Sequence, residues 1–432
     1  MHPLDSDALR AYLRKQRISP SVSGAPADPS LAIVVVIPCY DEPDLDPVLE
    51  SLRRCHRPCG AVEVLLVMNA SEHDDEDLRH RNQVAMESVQ ARWAKYDEPR
   101  FRFRALNFPR LPARHAGVGL ARKIGMDEAV ARFLAAGNPR GIIASLDADC
   151  ACDSDYLTSL ESHFDRHPNT RACTVYFEHA LSGPLDEELY SAITSYELYL
   201  RYYRHGLQYA NFPYAHYTVG SCLAVRCDAY ARHGGMNRRK AGEDFYFLNK
   251  LMAVGGVTEN NATRVMPGVR ASTRTPFGTG RVLNDRLTKT RQPWLTYDPL
   301  VFRDLAELVA SIDAFYDIAP RAWEWRTSLS DCMNNFLSTQ HIGEKHAEIR
   351  ANSASRESFR KRFFQWFDAF RALKFIHYAT HNDYPRQPLE HACTTLLRWR
   401  ELVVPSDSAP SACEMLKMLR EQDRGHSAVL DS

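Results

Sequence analysis

The residues with the clearest chemical potential are Asp147 and Asp149, which stand two positions apart at the end of an apolar run. In an extended chain such side chains point to the same side, so both carboxylates can reach one ion. Mg²⁺ and Mn²⁺ prefer oxygen ligands and keep coordination positions for waters and substrate phosphates. The pair therefore predicts a site for Mn²⁺ or Mg²⁺, which would neutralise a departing diphosphate. Asp-x-Asp also occurs by chance in exposed turns, and the surrounding motifs are what favour the metal interpretation.

Two other apolar runs also end in polar residues. One run ends in the segment 38–42, and another ends in the segment 68–71, which includes Asn69. Ligands of open α/β sheets bind beyond the carboxyl ends of the parallel strands. Three polar strand ends therefore predict one binding edge that is assembled from separate parts of the chain.

Two basic segments have the composition of phosphate-binding elements. Gly117 and Gly119 open a predicted helix that carries Arg122 and Lys123, and the N–H groups of a helix start bind anions. A second segment is flanked by glycine and contains three arginines, Arg270, Arg274 and Arg281. Charge-assisted hydrogen bonds from arginine suit such a loop for closing over a diphosphate. An ordinary basic surface loop is the alternative.

A second acidic pair, Glu243 and Asp244, follows Gly242 at the start of a predicted helix. A carboxylate in that position can remove the proton of an acceptor hydroxyl while a sugar is transferred to it. Acidic residues also stabilise helix starts by interacting with the helix dipole. The residue types alone do not decide between these two interpretations.

The elements that must position these residues alternate between strand and helix. Apolar β-branched runs predict buried strands, and longer segments between them predict helices, including 46–54, 76–95, 118–136 and 243–254. This alternation predicts an α/β fold with a mostly parallel sheet flanked by helices. From about residue 300 onward we expect only helices. The expected domains are an N-terminal helix and linker at 1–29, an α/β domain at 30–285 and a helical C-terminal region at 286–432.

The composition excludes several classes of protein. Lys plus Arg equals Asp plus Glu at 54 each, so no excess of positive charge points to a nucleic acid. The longest apolar run, 31–37, is far shorter than a membrane-spanning helix requires, and the N-terminus lacks the apolar core of a secretory signal. Eleven dispersed cysteines favour reduced thiols. We therefore expect a cytoplasmic protein, for which association with a membrane surface stays open.

Four motifs in this order resemble the family-2 GT-A glycosyltransferases. They are Ile-Pro-Cys-Tyr-Asp-Glu at a strand end, Gly-x-x-x-Ala-Arg-Lys at a helix, Asp-Ala-Asp at a strand end and Gly-Glu-Asp at a later helix. The resemblance covers roughly residues 32–254. It implies a Rossmann-like GT-A fold and the transfer of a hexosyl group, with inversion, from a nucleoside-diphosphate sugar to a hydroxyl acceptor.

The resemblance also implies donor-binding residues. The nucleotide pocket would be lined by four residues of the first strand end, Pro38, Tyr40, Asp41 and Glu42. Arg122 and Lys123 would lie near the base or the phosphates. Asp147 would contact the ribose or the metal, and Asp149 would bind the metal.

On the acceptor side, the resemblance makes Asp244 the general base and gives Glu243 the task of binding the acceptor. Asn69 stands where many members have an aspartate that contacts uracil, which leaves the donor base open. Lys123 stands where asparagine is usual. The Gln-x-x-Arg-Trp signature of processive synthases is missing from the sequence. The acceptor can be a glycan, a lipid-linked sugar or a small molecule.

Two other functions fit parts of the pattern. A nucleotidyltransferase also uses carboxylates and a metal on an α/β sheet, but a basic glycine-rich turn after the first strand favours that class, and segment 38–42 is acidic and glycine-free. A non-catalytic nucleotide- or sugar-binding module on the same fold is the other alternative. The intact carboxylates at 147, 149 and 244 argue against it.

Overall fold

The computed structural model describes residues 3–16, 26–240, 242–271, 278–288, 293–318, 329–402 and 410–425. The chain divides into two compact units. Unit 1 comprises Met1–Ala180, Thr218–Arg281 and Gln422–Ser432, and unit 2 comprises Leu181–Tyr217 and Val282–Glu421. The domain boundaries expected after residues 29 and 285 stay predictions, and the compact units divide the chain at other positions.

Unit 1 is built around one sheet. Its strands in chain order are β1 (Leu31–Cys39), β2 (Ala61–Ser71), β3 (Phe101–Leu111), β4 (Ile142–Ser145), β5 (Ala151–Cys152), β6 (Ala172–Phe177), β7 (Leu223–Arg226) and β8 (Val257–Met266). They lie in the order β3-β2-β1-β4-β7-β6-β8-β5. Four neighbouring pairs are parallel and three are antiparallel. The sheet is mostly parallel, which confirms the predicted fold class.

Helices account for most of the remaining described residues. In chain order they are α1 (Pro3–Gln16), α2 (Asp46–Arg53), α3 (Glu76–Ser88), α4 (Val118–Ala136), α5 (Tyr156–Arg166), α6 (Glu187–Tyr209), α7 (Cys227–Arg232), α8 (Glu243–Val254), α9 (Thr279–Thr288), α10 (Leu300–Asp317), α11 (Asp331–Thr339), α12 (Ile342–Ala351), α13 (Arg356–Trp366), α14 (Ala369–Asn382), α15 (Leu389–Trp399) and α16 (Ala412–Gly425). Helices α4 and α8 have the bounds that the sequence predicted.

Helix α4 is the element that brings charged side chains to the edge of the sheet. It lies against β1 so closely that a Cβ atom added to Gly125 would be 2.3 Å from Cγ1 of Val36. Its apolar side chains pack with those of β2 and β3 in one core cluster, which includes Val67, Leu106 and Ile124. Because glycine permits this close approach, the first turn of α4 is fixed beside the ends of β1 and β4.

Several predicted elements differ from the observed ones. The helix expected at 76–95 ends at Ser88 and continues as a single π turn, Val89–Trp93. The chain also forms β3, which the sequence analysis missed although the alternation of buried phenylalanines with arginines at its start is a strand pattern. In unit 2, α13 ends at Trp366 and a new helix, α14, begins at Ala369, because Asp368 caps the start of α14 by accepting a hydrogen bond from the Arg371 N–H group.

Unit 2 is mostly helical, and its core is rich in aromatic side chains. Phe359, Phe363, Phe367 and Ile376 are fully buried in this core, whereas Trp366, Phe370 and Leu373 between them are half-buried. A short antiparallel pair, β9 (Leu295–Thr296) with β10 (Gln387–Pro388), adds a strand in a region where only helices were expected. Among the residues that the structure describes, no helix is long and apolar enough to cross a membrane.

Candidate functional site

The aspartate pair lies in a tight turn directly after β4. The backbone N–H of Cys150 donates to the carbonyl oxygen of Asp147 at 3.1 Å, so residues 147–150 are not extended as the sequence analysis assumed. The N–H of Leu146 donates to the carbonyl oxygen of Val36 at 3.1 Å. This bond places the turn, called the acidic turn below, beside the carboxyl end of β1.

A third carboxylate and an arginine complete the surroundings of the acidic turn. Arg270 donates two hydrogen bonds to Glu42, at 2.7 and 2.9 Å, and its Nη2 atom lies 4.0 Å from Oδ2 of Asp149. Burial raises the pKa of the Asp149 carboxyl to about 6, and the charges of Asp147 and Glu42 add to the rise while Arg270 opposes it. The carboxylate has many protein atoms around it, yet 38% of its side chain reaches solvent through an open side.

These residues fit a hard divalent cation in part. Asp147 and Asp149 offer carboxylate oxygens, and burial, with a smaller contribution from the charges of Asp147 and Glu42, raises the pKa of Asp149, so a bound cation would stabilise its ionised form. Within the described part of the chain, no group of three or more His, Cys, Asp or Glu side chains could hold a metal by itself. A Mg²⁺ or Mn²⁺ ion that takes its other ligands from water and substrate phosphates requires no such group.

The electrostatic cost of the ionised Asp149 predicts a pH-dependent gain in stability for Asp149→Asn. The raised pKa of Asp149 means that its contribution to stability is present at low pH and is lost as pH rises through about 6. In metal-free buffer we expect the variant to melt a few degrees higher than the wild type at pH 8, and this gain to shrink toward pH 5. The gain is modest because solvent screens the partly exposed carboxylate.

Differential scanning fluorimetry at both pH values measures this effect. Asp153→Asn is a matched control, because 34% of the Asp153 side chain is exposed and it pairs with Arg264 at 2.8 Å. The control is expected to give no gain at pH 8. If Asp149→Asn does not melt at a higher temperature than the wild type at pH 8, the ionised Asp149 carboxylate does not destabilise the folded protein and the prediction is wrong.

Arg122 connects the two acidic motifs. Its Nε atom donates to Oγ of Ser145 at 2.9 Å and its Nη2 atom to Oδ1 of Asp147 at 2.6 Å, and Nη1 forms an ion pair with Glu243. The side chain is 2% exposed. A Cβ atom at Gly220 would lie 2.9 Å from the guanidinium, so glycine is needed there for the arginine to fit.

These contacts correct two predicted roles. Arg122 was expected near the base or the phosphates of the donor, but all three of its nitrogen positions face protein groups, so it orients Asp147 instead. Glu243 was expected to bind the acceptor, but its side chain is 2% exposed and pairs with Arg122. It therefore fixes the start of α8. The glycines of α4 also pack against protein, since a Cβ atom at Gly119 would lie 2.1 Å from the carbonyl oxygen of Arg239.

Lys123 is a third correction, because it lies on another face of α4. Its Nζ atom is 2.9 Å from Oδ2 of Asp127 and 3.0 Å from the hydroxyl of Tyr12 on α1. The hydroxyl groups of Tyr12 and Tyr230 both donate to Oδ1 of Asp127, at 2.6 and 2.9 Å. With 2% of its side chain exposed, Lys123 is buried and ties α1 to α4.

This buried group predicts a large stability loss for Asp127→Ala. The change leaves an ammonium and two hydroxyl groups buried without their acceptor, which costs about 3–5 kcal/mol for a broken buried ion pair. Equilibrium urea unfolding measures the loss. Glu50→Ala removes an exposed pair with Arg53 and Arg54 and is expected to cost much less. If the two variants lose the same free energy of unfolding, the buried group around Asp127 is not the strong stabilising interaction proposed here.

Asp244 is the one carboxylate of the second acidic pair that is open to a substrate. It is half-buried at the start of α8, and its Oδ1 atom accepts the N–H of Phe245 at 2.7 Å. Burial raises the pKa of the Asp244 carboxyl, and the nearby charge of Arg122 opposes the rise. A carboxylate with a raised pKa accepts a proton more readily, which suits a general base.

Residues after β1 line an open cleft of about 690 Å³. One wall consists of residues 41–46 and Arg270, and the other consists of α3 and the turn that ends at Trp93. Asp41 has a φ of 49° and pairs with Arg81 at 2.6 Å. Two of the predicted donor residues, Asp41 and Glu42, therefore belong to a cleft of suitable size.

The other predicted donor residues lie in different settings. Tyr40 is half-buried and its hydroxyl donates to Asp74 at 3.2 Å, while Pro38 is buried within β1. Asn69 is 1% exposed, and its Oδ1 atom has no hydrogen-bond partner among the described residues. Arg281 is half-buried on α9, and Arg274 lies outside the described residues. Donor contact by these five residues stays a prediction.

Sequence reasoning did not single out the contribution of α3. Asn82 is 3% exposed, donates from Nδ2 to the carbonyl oxygen of Asn69 at 3.0 Å and accepts the N–H of Asp41 at 3.2 Å. It thereby joins the ends of β1 and β2. The available signal was the helical spacing of Asn82 from Leu78, which places a polar amide on the buried face of α3.

The sheet, its flanking helices and the acidic turn define an α/β fold of the GT-A type. Residues 34–234 match the model of the family described as glycosyl transferase family 2. The matched range includes the acidic turn and Arg122. Glu243, Asp244 and Arg270 follow the end of the matched range.

Solved structures that are similar to this chain include S. aureus TarS. Its residues 1-349 are 11% identical to this chain, with a TM-score of 0.37 over 76% of this chain and 89% of that chain. The same fragment in complex with UDP-GlcNAc is 12% identical, with a TM-score of 0.36 over 91% of both chains. No curated protein matches the sequence.

Proposed function

We propose that the protein transfers a hexosyl group from a nucleoside-diphosphate sugar to a hydroxyl acceptor, with inversion. The observation that carries the proposal is the bridge through Arg122. In a chain whose residues 34–234 match the model of glycosyl transferase family 2, one buried guanidinium joins Asp147 of the acidic turn to Glu243 at the start of α8. The donor side and the acceptor side of a transfer site are thereby held next to each other.

The donor is expected to lie along the sheet edge. Asp41 and Glu42 line the cleft after β1 and contact the nucleotide of the donor. Asp147 and Asp149 face its diphosphate. Asp147 and Asp149 would hold Mn²⁺ or Mg²⁺, which supplies charge neutralisation for the leaving diphosphate when bound. Arg270 lies beside Asp149 and is placed to stabilise the same developing charge.

Asp244 takes the proton of the acceptor hydroxyl. The hydroxyl oxygen bonds to the anomeric carbon of the donor as the bond from that carbon to the diphosphate oxygen breaks, and the electron pair leaves with the diphosphate. The ion pair between Glu243 and Arg122 keeps the base at the start of α8. We also propose that the protein works in the reducing cytoplasm, which its eleven dispersed cysteines favour.

A thermal-shift screen against nucleoside diphosphates and nucleotide sugars, with and without Mn²⁺, tests this proposal. A ligand that binds only the folded state raises the melting temperature by mass action. We expect a Mn²⁺-dependent rise with one nucleotide family, which is lost in Asp149→Ala and kept in Asp153→Ala. No rise with any nucleotide, or an equal rise in Asp149→Ala, would count against the proposal.

A further inference from the structure

Two buried thiols meet close to the acidic turn. The Sγ atoms of Cys55 and Cys152 are 3.7 Å apart, and the two residues are only 4% and 6% exposed. Cys55 follows α2, and Cys152 ends β5, three residues after Asp149. The proposed transfer reaction uses neither thiol.

The chain around both thiols is fixed by hydrogen bonds. The N–H of His56 donates to the carbonyl oxygen of Ser154 at 2.7 Å. The Cys55 thiol lies 3.4 Å from the carbonyl oxygen of Ser51 and 3.5 Å from that of Asp153. The two sulfurs are therefore held in contact, and an approach of about 1.7 Å would bring them to the length of a disulfide bond.

We propose that Cys55 and Cys152 form a redox-active dithiol, which a peroxide converts to a disulfide, and that the disulfide weakens donor binding at the acidic turn. Disulfides of this kind in reducing compartments are transient and regulatory. A peroxide is the appropriate oxidant because it is small enough to reach a nearly buried sulfur.

The reaction has two balanced steps. The Cys55 thiolate attacks one oxygen of hydrogen peroxide, which forms a sulfenic acid and releases hydroxide. The Cys152 sulfur then attacks the Cys55 sulfur, and the S–S bond forms as water leaves. Two thiols and one peroxide thus give one disulfide and two waters. The Cys152 thiol lowers the pKa of Cys55 by hydrogen bonding to it, which favours Cys55 as the attacking thiolate.

The second part of the inference, the effect on the donor, rests on the proposed function. β5 pairs with β8 through Ala151 and Met266, and the chain after β8 returns to the acidic turn. A Cβ atom at Gly268 would lie 2.8 Å from the carbonyl oxygen of Asp149. A movement of Cys152 toward Cys55 is therefore transmitted to Asp149 both along the chain and through the segment that carries Arg270.

Peptide mapping tests the modification directly. The reduced, folded protein is treated with hydrogen peroxide, the remaining thiols are alkylated, and the digest is analysed by mass spectrometry. We expect a linked pair of peptides that contains Cys55 and Cys152, which disappears in Cys152→Ser and persists in Cys413→Ser. Cys59 is exposed, so its oxidation shows that the peroxide has reacted with the protein. Oxidised Cys59 together with fully alkylated Cys55 and Cys152 would overturn the proposal.

Calorimetric titration of the oxidised protein with Mn²⁺ and its nucleotide sugar tests the coupling. We expect an affinity about tenfold lower than that of the reduced protein, the lower end of what disturbing the support of a metal ligand costs. Dithiothreitol should restore it, and peroxide should not change it in Cys152→Ser. Equal affinities in both redox states would overturn the coupling. Failure of the reduced protein to bind any donor would contradict the proposed function instead, and the peptide map is independent of that result.

Discussion

Asp149→Ala is expected to abolish Mn²⁺-dependent donor binding and to lower kcat/KM by about a thousandfold or more. A metal that stabilises the departing diphosphate supplies several kcal/mol, and each 1.36 kcal/mol changes the rate about tenfold. The side chain of Asp149 is 38% exposed, so an ion can reach it, and its neutral replacement removes one of the two carboxylates that would attract the cation to the acidic turn.

Two measurements separate this effect from a loss of fold. Titration calorimetry of the donor with and without Mn²⁺ gives the affinity, and thermal unfolding of the ligand-free variant shows whether it is folded. Asp153→Ala is the matched control, since 34% of its side chain is exposed and it lies four residues further along the chain. Retention of Mn²⁺-dependent binding by folded Asp149→Ala would contradict the metal assignment.

Asp244→Asn is expected to reduce kcat by about 10²–10⁴-fold, the usual contribution of a general base, while donor affinity changes less than twofold. The amide keeps the size of the carboxylate and cannot take the acceptor proton. The half-buried position of Asp244 at the helix start leaves it open to the acceptor, whereas the neighbouring Glu243 is occupied by Arg122. Steady-state kinetics with saturating donor, together with donor titration, measure both quantities.

The control for the base is Asp228→Asn, at the start of α7, where the carboxylate pairs with Arg232 at 3.6 Å. This variant should keep both turnover and donor affinity. A kcat for Asp244→Asn close to that of the wild type would remove Asp244 from the mechanism. A loss of donor affinity as large as the loss of kcat would show that the residue binds the donor rather than the acceptor proton.

The strand ends were predictable because buried β-branched runs are distinctive. β1, β2 and β4 were recognised from continuous apolar sequence, and the polar residues after β1 and β4 lie at one edge of the sheet as expected. The bounds of α4 were predictable for a similar reason, since glycines at both ends delimit an uninterrupted helical pattern.

Which of two neighbouring charged residues faces the site was not predictable. Arg122 and Lys123 are adjacent on α4, and successive residues of a helix point in directions about 100° apart. Only packing shows that one orients Asp147 and that the other ties α4 to Tyr12. The same ambiguity applies to Glu243 and Asp244.

Tertiary contacts also determine structural features of the site that local sequence patterns do not specify. The sequence suggested an extended Asp-Ala-Asp segment, but the hydrogen bond from Cys150 to Asp147 folds it into a turn. Ser145, Gly220 and Asn82 support the site from three separate elements. None of them carries a motif, because their roles depend on distances across the sheet.

Anomalous diffraction from a crystal that contains Mn²⁺ and the nucleotide sugar found in the screen tests the central claim most directly. The expected result is a manganese peak within coordination distance of the Asp149 carboxylate, beside Asp147, with the diphosphate bound to the same ion and the anomeric carbon facing Asp244. A nucleotide bound elsewhere, or a manganese peak that contacts neither Asp147 nor Asp149, would contradict it.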